Sequence, residues 1–251
     1  MKIRLDQLLV IQGLAKSRAQ AQALILAGRV QVEGLASPKA GSLVPEKAQV
    51  TLKDVSPFVS RGGEKLAGAL DHFQAIPQGK VALDVGASTG GFTHCLLSRG
   101  ARRVYAVDVG YGQLDPTLRN DPRVVALERV NIRYLPKEVI PDPIDFVTLD
   151  LSFISLTLVL PKIKEFLRPG GEILALVKPQ FEVGKGQVGK GGVVRDPHLQ
   201  REAVQRVAAS AAALGFTVSP AFPSPLKGPK GNQEYFLYLI ASESGFKPDG
   251  A

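Results

Sequence analysis

The chain opens on a short amphipathic pattern, with Leu5, Leu8 and Leu9 at spacings of three and four on one helical face. A second helical stretch follows in K-S-R-A-Q-A-Q-A-L-I. Ser17 is a natural N-cap with Gln20 three residues on, a capping box, and Gly28 supplies a left-handed stop before a short R-V-Q-V strand. From about Val81 the pattern changes. V-A-L-D-V, V-Y-A-V-D-V, D-F-V-T-L-D and I-L-A-L-V are near-continuous apolar runs, as expected of strands buried on both faces. They alternate with amphipathic segments such as 155–167 and 199–214, which predicts an α/β fold: a doubly wound, mostly parallel sheet of seven strands, Rossmann-like, with helices on both sides. The last run, E-Y-F-L-Y-L-I, follows F-T-V-S-P through a loop too short for a crossover helix, so it is expected to enter antiparallel.

A length of 251 residues with 45% hydrophobic positions supports one full α/β domain plus a small module. The first 55 residues carry eight Lys or Arg against four acids, half of the chain's net charge of +8. We place the boundary near Ser56-Pro57-Phe58, giving a small α+β module over 1–58 and a larger domain over 59–251. An isoelectric point near 9.6 points to a polyanionic partner such as nucleic acid. A lone cysteine, Cys95, excludes an internal disulfide, and three histidines, His72, His94 and His198, give no zinc-type spacing, so no metal is expected. No apolar stretch reaches the length of a membrane span, and M-K-I-R-L-D does not begin a signal peptide, so the expected location is the cytoplasm.

After the first β run comes L-D-V-G-A-S-T-G-G-F-T, Leu83 to Thr93, leading into a helix. Glycines there let backbone approach a ligand at the carboxyl edge of the sheet. Asp108 ends the second run, 22 residues beyond Gly86, where an acid commonly accepts hydrogen bonds from a ribose diol. The two features imply an adenosine-containing cofactor. The spacing G-x-S-x-G-G departs from the dinucleotide pattern and leaves the ligand's identity open.

Four polar residues fall at or near the same edge. Asp150 and Lys178 end adjacent β runs, Glu234 begins the final antiparallel one, and Lys65 lies in S-R-G-G-E-K-L, on a helix able to fold over the mouth. A lysine ending a buried run and followed by Pro179 is costly unless used. A hydroxyl nucleophile needs its proton removed and its oxygen aimed in line, and a lysine can do either. Lys178 is the expected base, oriented by Asp150, with Glu234 and Lys65 balancing charge and positioning substrate.

These same residues carry a resemblance. The front module resembles the small RNA-binding fold of a ribosomal small-subunit protein and many pseudouridine synthases, through R-L-D-Q-L-L-V, K-S-R-A-Q-A-Q-A-L-I and A-G-R-V-Q-V-E-G. The rest resembles the FtsJ-like, S-adenosylmethionine-dependent fold. Across nearly its whole length the chain is similar to the TlyA, or hemolysin A, family of ribosomal RNA ribose methyltransferases. S-R-G-G-E-K-L, D-V-G-A-S-T-G-G-F-T, V-D-V-G-Y-G-Q-L, D-L-S-F-I-S-L and V-K-P-Q-F-E all stand here. The resemblance implies the K-D-K-E tetrad of 2′-O-methyltransferases, matched in order by Lys65, Asp150, Lys178 and Glu234. It also implies S-adenosylmethionine contacts from Gly86, Ala87, Ser88, Gly90, Gly91 and Asp108, with Asn131 on the adenine side, and cytidine in ribosomal RNA of assembled subunits as substrate.

The expected RNA grip comes from Arg4, Lys16, Ser17, Arg18 and Arg29 in the front module and from two glycine-rich loops carrying Lys185, Lys190, Lys227 and Lys230. Three rival readings fit parts of the pattern. A pseudouridine synthase would need no cofactor loop, a NAD-dependent dehydrogenase is disfavoured by the loop spacing, and a non-catalytic ribosome-binding factor would be favoured by loss of a tetrad residue. All four are present. The chain shows no spanning or obvious pore-forming segment, so direct haemolytic action is not expected.

Overall fold

The computed structural model describes residues 2–26, 29–35, 38–52, 56–184, 186–228 and 230–242, with no account of the side chain at 23. Gly28 and Lys185 lie outside the described residues. The chain divides into two compact units, Met1–Val55 and Ser56–Ala251, against the expected division at 58/59.

The first unit holds β1 (Lys2–Arg4), α1 (Leu5–Ile11), α2 (Arg18–Leu26), β2 (Val30–Val32), β3 (Leu43–Pro45) and β4 (Val50–Leu52). β1 pairs antiparallel with β3, and β2 with β4. The Leu5, Leu8 and Leu9 stripe is fully buried against Ala21, Ile25, Val30, Val44 and Val50, so the amphipathic pattern becomes this unit's own core. α2 begins as expected: Ser17 Oγ accepts from Gln20 N at 3.2 Å. The reciprocal bond goes one residue further back than in a capping box, Gln20 Oε1 accepting from Lys16 N at 2.7 Å.

The second unit runs α3 (Gly62–Phe73), β5 (Val81–Val85), α4 (Gly91–Ser98), β6 (Arg103–Asp108), α5 (Pro116–Arg119), β7 (Val124–Glu128), β8 (Ile144–Leu149), α6 (Leu160–Phe166), β9 (Leu167–Val177), α7 (Pro179–Glu182), α8 (Pro197–Ala213), β10 (Phe216–Val218), β11 (Phe222–Pro223) and β12 (Tyr235–Ala241). Seven strands lie in the order β10-β12-β9-β8-β5-β6-β7, and two-residue β11 also pairs with β12. β7, β6, β5, β8 and β9 are mutually parallel, whereas β12 is antiparallel to both β9 and β10, as its short connection requires.

Both faces of the sheet are dry. Leu83, Val147, Ile173 and Val177 point to one apolar cluster with Ile163 and Val207, while Ala82, Val104, Phe146 and Leu176 point to another with Leu66, Leu70, Phe92 and Leu96. This is why the central strands read as continuous apolar runs without polar alternation. The amphipathic stretch 155–167 is a 3-10 turn, Leu156–Leu158, then α6, and β9 starts at Leu167, six residues before the apolar run that announced it.

Candidate active site

The sheet brings the polar quartet to one rim. Parallel β8 and β9 end side by side, so Asp150 and Lys178 emerge together at their carboxyl ends. β12 runs the other way with Tyr235 opposite Val177, which sets Glu234 beside Lys178 at the same edge. Lys65 comes from the first turn of α3. Pro179 opens α7, and its ring ends the strand and turns the chain away.

The four form two ion pairs. Lys65 Nζ meets Glu234 Oε2 at 2.6 Å, and both side chains are nearly sealed, 10% and 2% exposed. Lys178 Nζ lies 2.6 Å from Asp150 Oδ1 in a more open setting, 11% and 24% exposed. That contact is an ion pair without hydrogen-bond alignment; Lys178 Nζ instead donates to Ser152 Oγ at 3.1 Å. Of the four, Asp150 is the most open; the two lysines are equally enclosed and all four line one cavity.

Two cavities flank this rim. One, of about 750 Å³, is lined by Lys65, Asp150, Lys178 and Glu234 together with Phe153, Gln180, Phe181, Lys227 and Lys230. The other, of about 440 Å³, lies between Asp108, Val109, Asn131, Ile132 and Ile154. They share Gly86, Ser88, Asp150, Ser152 and Phe153, so Asp150 stands on the wall between them.

The glycine loop is shaped by close approach. Gly86 has φ +84°, and a Cβ there would lie 2.5 Å from the Asp150 carbonyl oxygen. Ala87, Ser88 and Gly91 line the larger cavity. Gly90, at φ +93°, packs where a Cβ would meet Leu118 at 2.3 Å, and it lies outside the lining of both cavities. Asp108 Oδ2 accepts from Ser88 N at 2.8 Å and Oδ1 from Gly110 N at 2.7 Å, which fixes the carboxylate and leaves a lone pair on each oxygen. Asn131 Oδ1 accepts from Arg133 N at 3.1 Å.

Two buried acids support the site from beneath. Asp84 in β5 accepts from Thr93 Oγ1 at 2.6 Å and Thr148 Oγ1 at 2.9 Å, tying α4 to β8; burial pushes its carboxyl up to about 6. Glu182 accepts from Ser155 Oγ at 2.6 Å and Leu156 N at 2.8 Å, and burial raises its carboxyl too.

Several residues at the site went unread in the sequence. Phe153 is 89% exposed at φ +65°, with its ring 5.0 Å from that of Phe181. A phenylalanine in the left-handed region is strained, and this one sits on the wall shared by the two cavities. Gln180 and Arg61 also line the larger cavity. Only the unusual D-L-S-F-I-S-L run could have drawn attention to Phe153.

Of the expected RNA contacts, Lys227 and Lys230 line the larger cavity, whereas Lys190 is exposed but off its wall. In the first unit Lys16 and Arg29 are exposed, and Ser17 is occupied as the cap of α2. Asp6, fully buried, accepts from Arg4 Nε and from Arg18 at 3.0 and 3.2 Å, and from Gln22 at 3.0 Å, so the two arginines form one oriented fork. No helix among the described residues is long and apolar enough to cross a membrane, and among them no cluster of three or more His, Cys, Asp or Glu is suited to a metal ion.

A mostly parallel sheet with a glycine turn after its first strand, an acid closing the second, and a polar quartet drawn from α3, β8, β9 and β12 agrees with the doubly wound methyltransferase class. Residues 58–240 match the FtsJ-like methyltransferase model and 3–45 match the S4 domain. The chain belongs to the FtsJ-like methyltransferase family and carries an S4 domain at its front. It is 52% identical over 240 residues, 95% of this chain and 90% of the relative, to the 16S/23S rRNA (cytidine-2′-O)-methyltransferase TlyA of Mycobacterium tuberculosis. It is 36% identical to the 23S rRNA (cytidine-2′-O)-methyltransferase TlyA of Campylobacter jejuni, over 73% of this chain and 71% of that one. A solved chain from Streptococcus thermophilus bearing a hemolysin name matches with a TM-score of 0.76 and 40% identity, covering 97% of this chain and 90% of that one.

Proposed function

We propose that this chain transfers a methyl group from S-adenosylmethionine to the ribose 2′-hydroxyl of cytidine in ribosomal RNA. The observation that carries the reading is the pairing of Lys178, in the larger cavity, with Asp150, on the wall that this cavity shares with a smaller one suited to a nucleoside cofactor. The 52% identity to a relative named for this reaction supports it.

The residues present fit the cofactor. Asp108 keeps lone pairs for a ribose diol, Val109, Ile132 and Ile154 wall an apolar slot for adenine beside Asn131, and Gly86 to Ser88 offer backbone to the amino-acid tail, with Gly86 packed so closely on the Asp150 backbone that a Cβ there would displace it. When bound, S-adenosylmethionine supplies a methyl group on a sulfonium, ready for displacement.

The chain's own work is at the acceptor. The ion pair with Asp150 holds the ammonium form of Lys178; once that proton has left to solvent, the neutral Lys178 Nζ takes the proton of the 2′-hydroxyl as the oxygen attacks, and the Asp150 carboxylate stabilises the ammonium that re-forms. Ser152 holds the lysine's head from the other side. The Lys65–Glu234 pair stiffens the floor of the cleft, so most of the acceleration comes from holding the acceptor oxygen in line. A target nucleotide drawn out of its RNA meets the exposed ring of Phe153, backed by Phe181, while Lys227 and Lys230 face its phosphates. In the S4 domain the Arg4–Arg18 fork supplies sequence-independent grip.

The test is incubation with methyl-labelled S-adenosylmethionine and unmodified small and large ribosomal subunits, followed by digestion to nucleosides. Label in 2′-O-methylcytidine is expected; label on a base or in protein would overturn the reading.

A further inference from the structure

V-K-P-Q-F-E contributes its lysine to the chemistry and Phe181 to the ring pair, and its glutamine is left without a task. Gln180 lines the larger cavity beside Lys178, Phe153 and Phe181. Its Oε1 is enclosed and has no hydrogen-bond partner. A side-chain acceptor shut away from water without a donor costs free energy, and such an atom in a binding cleft calls for a ligand that supplies the donor.

The amide is also held in place. The turn that carries it is tethered at both ends to the 150–156 loop: Lys178 to Asp150 and Ser152, and Glu182 to Ser155 Oγ at 2.6 Å and Leu156 N at 2.8 Å. Arg206 adds a third restraint, donating to the Glu182 carbonyl oxygen at 2.6 Å. Gln180 stands between these tethers. Four residues of one short turn thus divide the work: a base at 178, an amide at 180, a ring at 181 and an anchor at 182.

We infer that Gln180 reads the Watson–Crick edge of the target base, its Oε1 accepting from the exocyclic amino group of a cytosine stacked on Phe153. Cytosine offers an amino donor beside a ring-nitrogen acceptor, the complement of a side-chain amide that carries an oxygen and an NH₂. Uracil presents O4 in place of the amino group, so it sets oxygen against Oε1 unless the amide turns over and gives up its enclosed position. The inference rests on the reading of the cleft as a cytidine 2′-O site and adds how the base is chosen.

The experiment uses the full chain and ribosomal subunits reconstituted with RNA carrying either cytidine or uridine at the mapped target. Rates of methyl transfer are compared for wild type, Gln180→Met, which keeps the size and loses the amide, and Gln180→Glu, which keeps the acceptor; calorimetry gives each protein's affinity for S-adenosylmethionine. Wild type is expected to favour cytidine by about tenfold or more in kcat/KM, the scale of one well-made base contact. Gln180→Met should bring the two substrates within about threefold of each other by losing rate on cytidine, with cofactor affinity unchanged. Gln180→Glu should keep the preference, which preserves the test even where the methionine variant folds poorly. A methionine variant whose cytidine-to-uridine ratio matches wild type, whatever its absolute rate, overturns the assignment, as does a glutamate variant that accepts both equally. Wild-type protein that labels neither subunit overturns the transferase reading itself.

Discussion

Lys65 and Glu234 stand 169 positions apart and meet Nζ to Oε2 at 2.6 Å beneath the rim of the cleft. The pair joins α3, which precedes the first strand of the sheet, to the start of β12, its last strand in sequence. Removing one partner leaves the other charge buried without compensation. Glu234→Ala is expected to lower the unfolding free energy by about 3 kcal/mol, and Glu234→Gln by less, because an amide still accepts from the ammonium. Denaturant titration of the three proteins checks this. Equal stability would mean that the pair is not closed in solution.

Asp84 gives the fold a pH signature. Burial lifts its carboxyl from an ordinary 3.8 to about 6, the Asp150 charge pushes the same way, and the hydroxyls of Thr93 and Thr148 offset only part of the rise. Between these values the unfolded chain has lost the proton and the folded chain keeps it, so stability falls as pH rises from about 4 to about 6. Above that the cost is complete, on the order of 3 kcal/mol. Asp84→Asn, which keeps the shape and a bond to each threonine, is expected to remove this slope and to be the more stable protein at neutral pH. Parallel stability curves for the two proteins from pH 4 to 7 would contradict the account.

Gly86 has no room for a side chain. Its φ of +84° and the 2.5 Å from a Cβ to the Asp150 carbonyl oxygen mean that Gly86→Ala must displace backbone on the wall shared by both cavities. A loss of about tenfold or more in affinity for S-adenosylmethionine is expected by calorimetry, larger than the effect of Gly79→Ala, where a Cβ meets nothing within 4 Å.

Asp6 organises the S4 domain's charge. It is held well below the usual carboxylate range, chiefly by its hydrogen bond with Arg4, with Gln22 and Arg18 adding to it. A depressed carboxyl contributes stability that is present above its ordinary value of 3.8 and is lost as pH falls below it. Arg4→Ala and Arg18→Ala should each reduce the slope of log affinity for ribosomal RNA against log salt by about one. Asp6→Asn should leave both arginines charged but unoriented, and reduce affinity without changing the slope. Filter binding across a salt series separates the two outcomes.

What could be read in the sequence depended on whether a residue's role is set by local pattern or by packing. Asp150 and Lys178 were legible because each ends an apolar run, and parallel neighbours end at the same edge. The sense of β12 followed from a short connection, and with it the place of Glu234. β7 gave no comparable signal: every one of its residues is half-buried at the edge of the sheet, so V-V-A-L-E lacks a dry run. Phe153, Gln180 and Phe181 lie in stretches that carry the resemblance, but their separate roles could not be read there, because their exposure, strain and missing partners exist only once two loops are folded together. Gly90 shows a limit of the pattern: a glycine required by Leu114 and Leu118 packing looks, in sequence, the same as one required by a ligand.

The most direct measurement of the central claim runs wild type and Lys178→Ala side by side on unmodified 30S and 50S subunits, with cofactor affinity measured on both proteins. Removing the base while leaving the cofactor's contacts intact should cut methyl transfer by roughly 10² to 10⁴-fold, with binding of S-adenosylmethionine within a few fold. Transfer that persists at the wild-type rate, or a loss of cofactor binding that accounts for the whole defect, would contradict the role assigned to Lys178 at the end of β9.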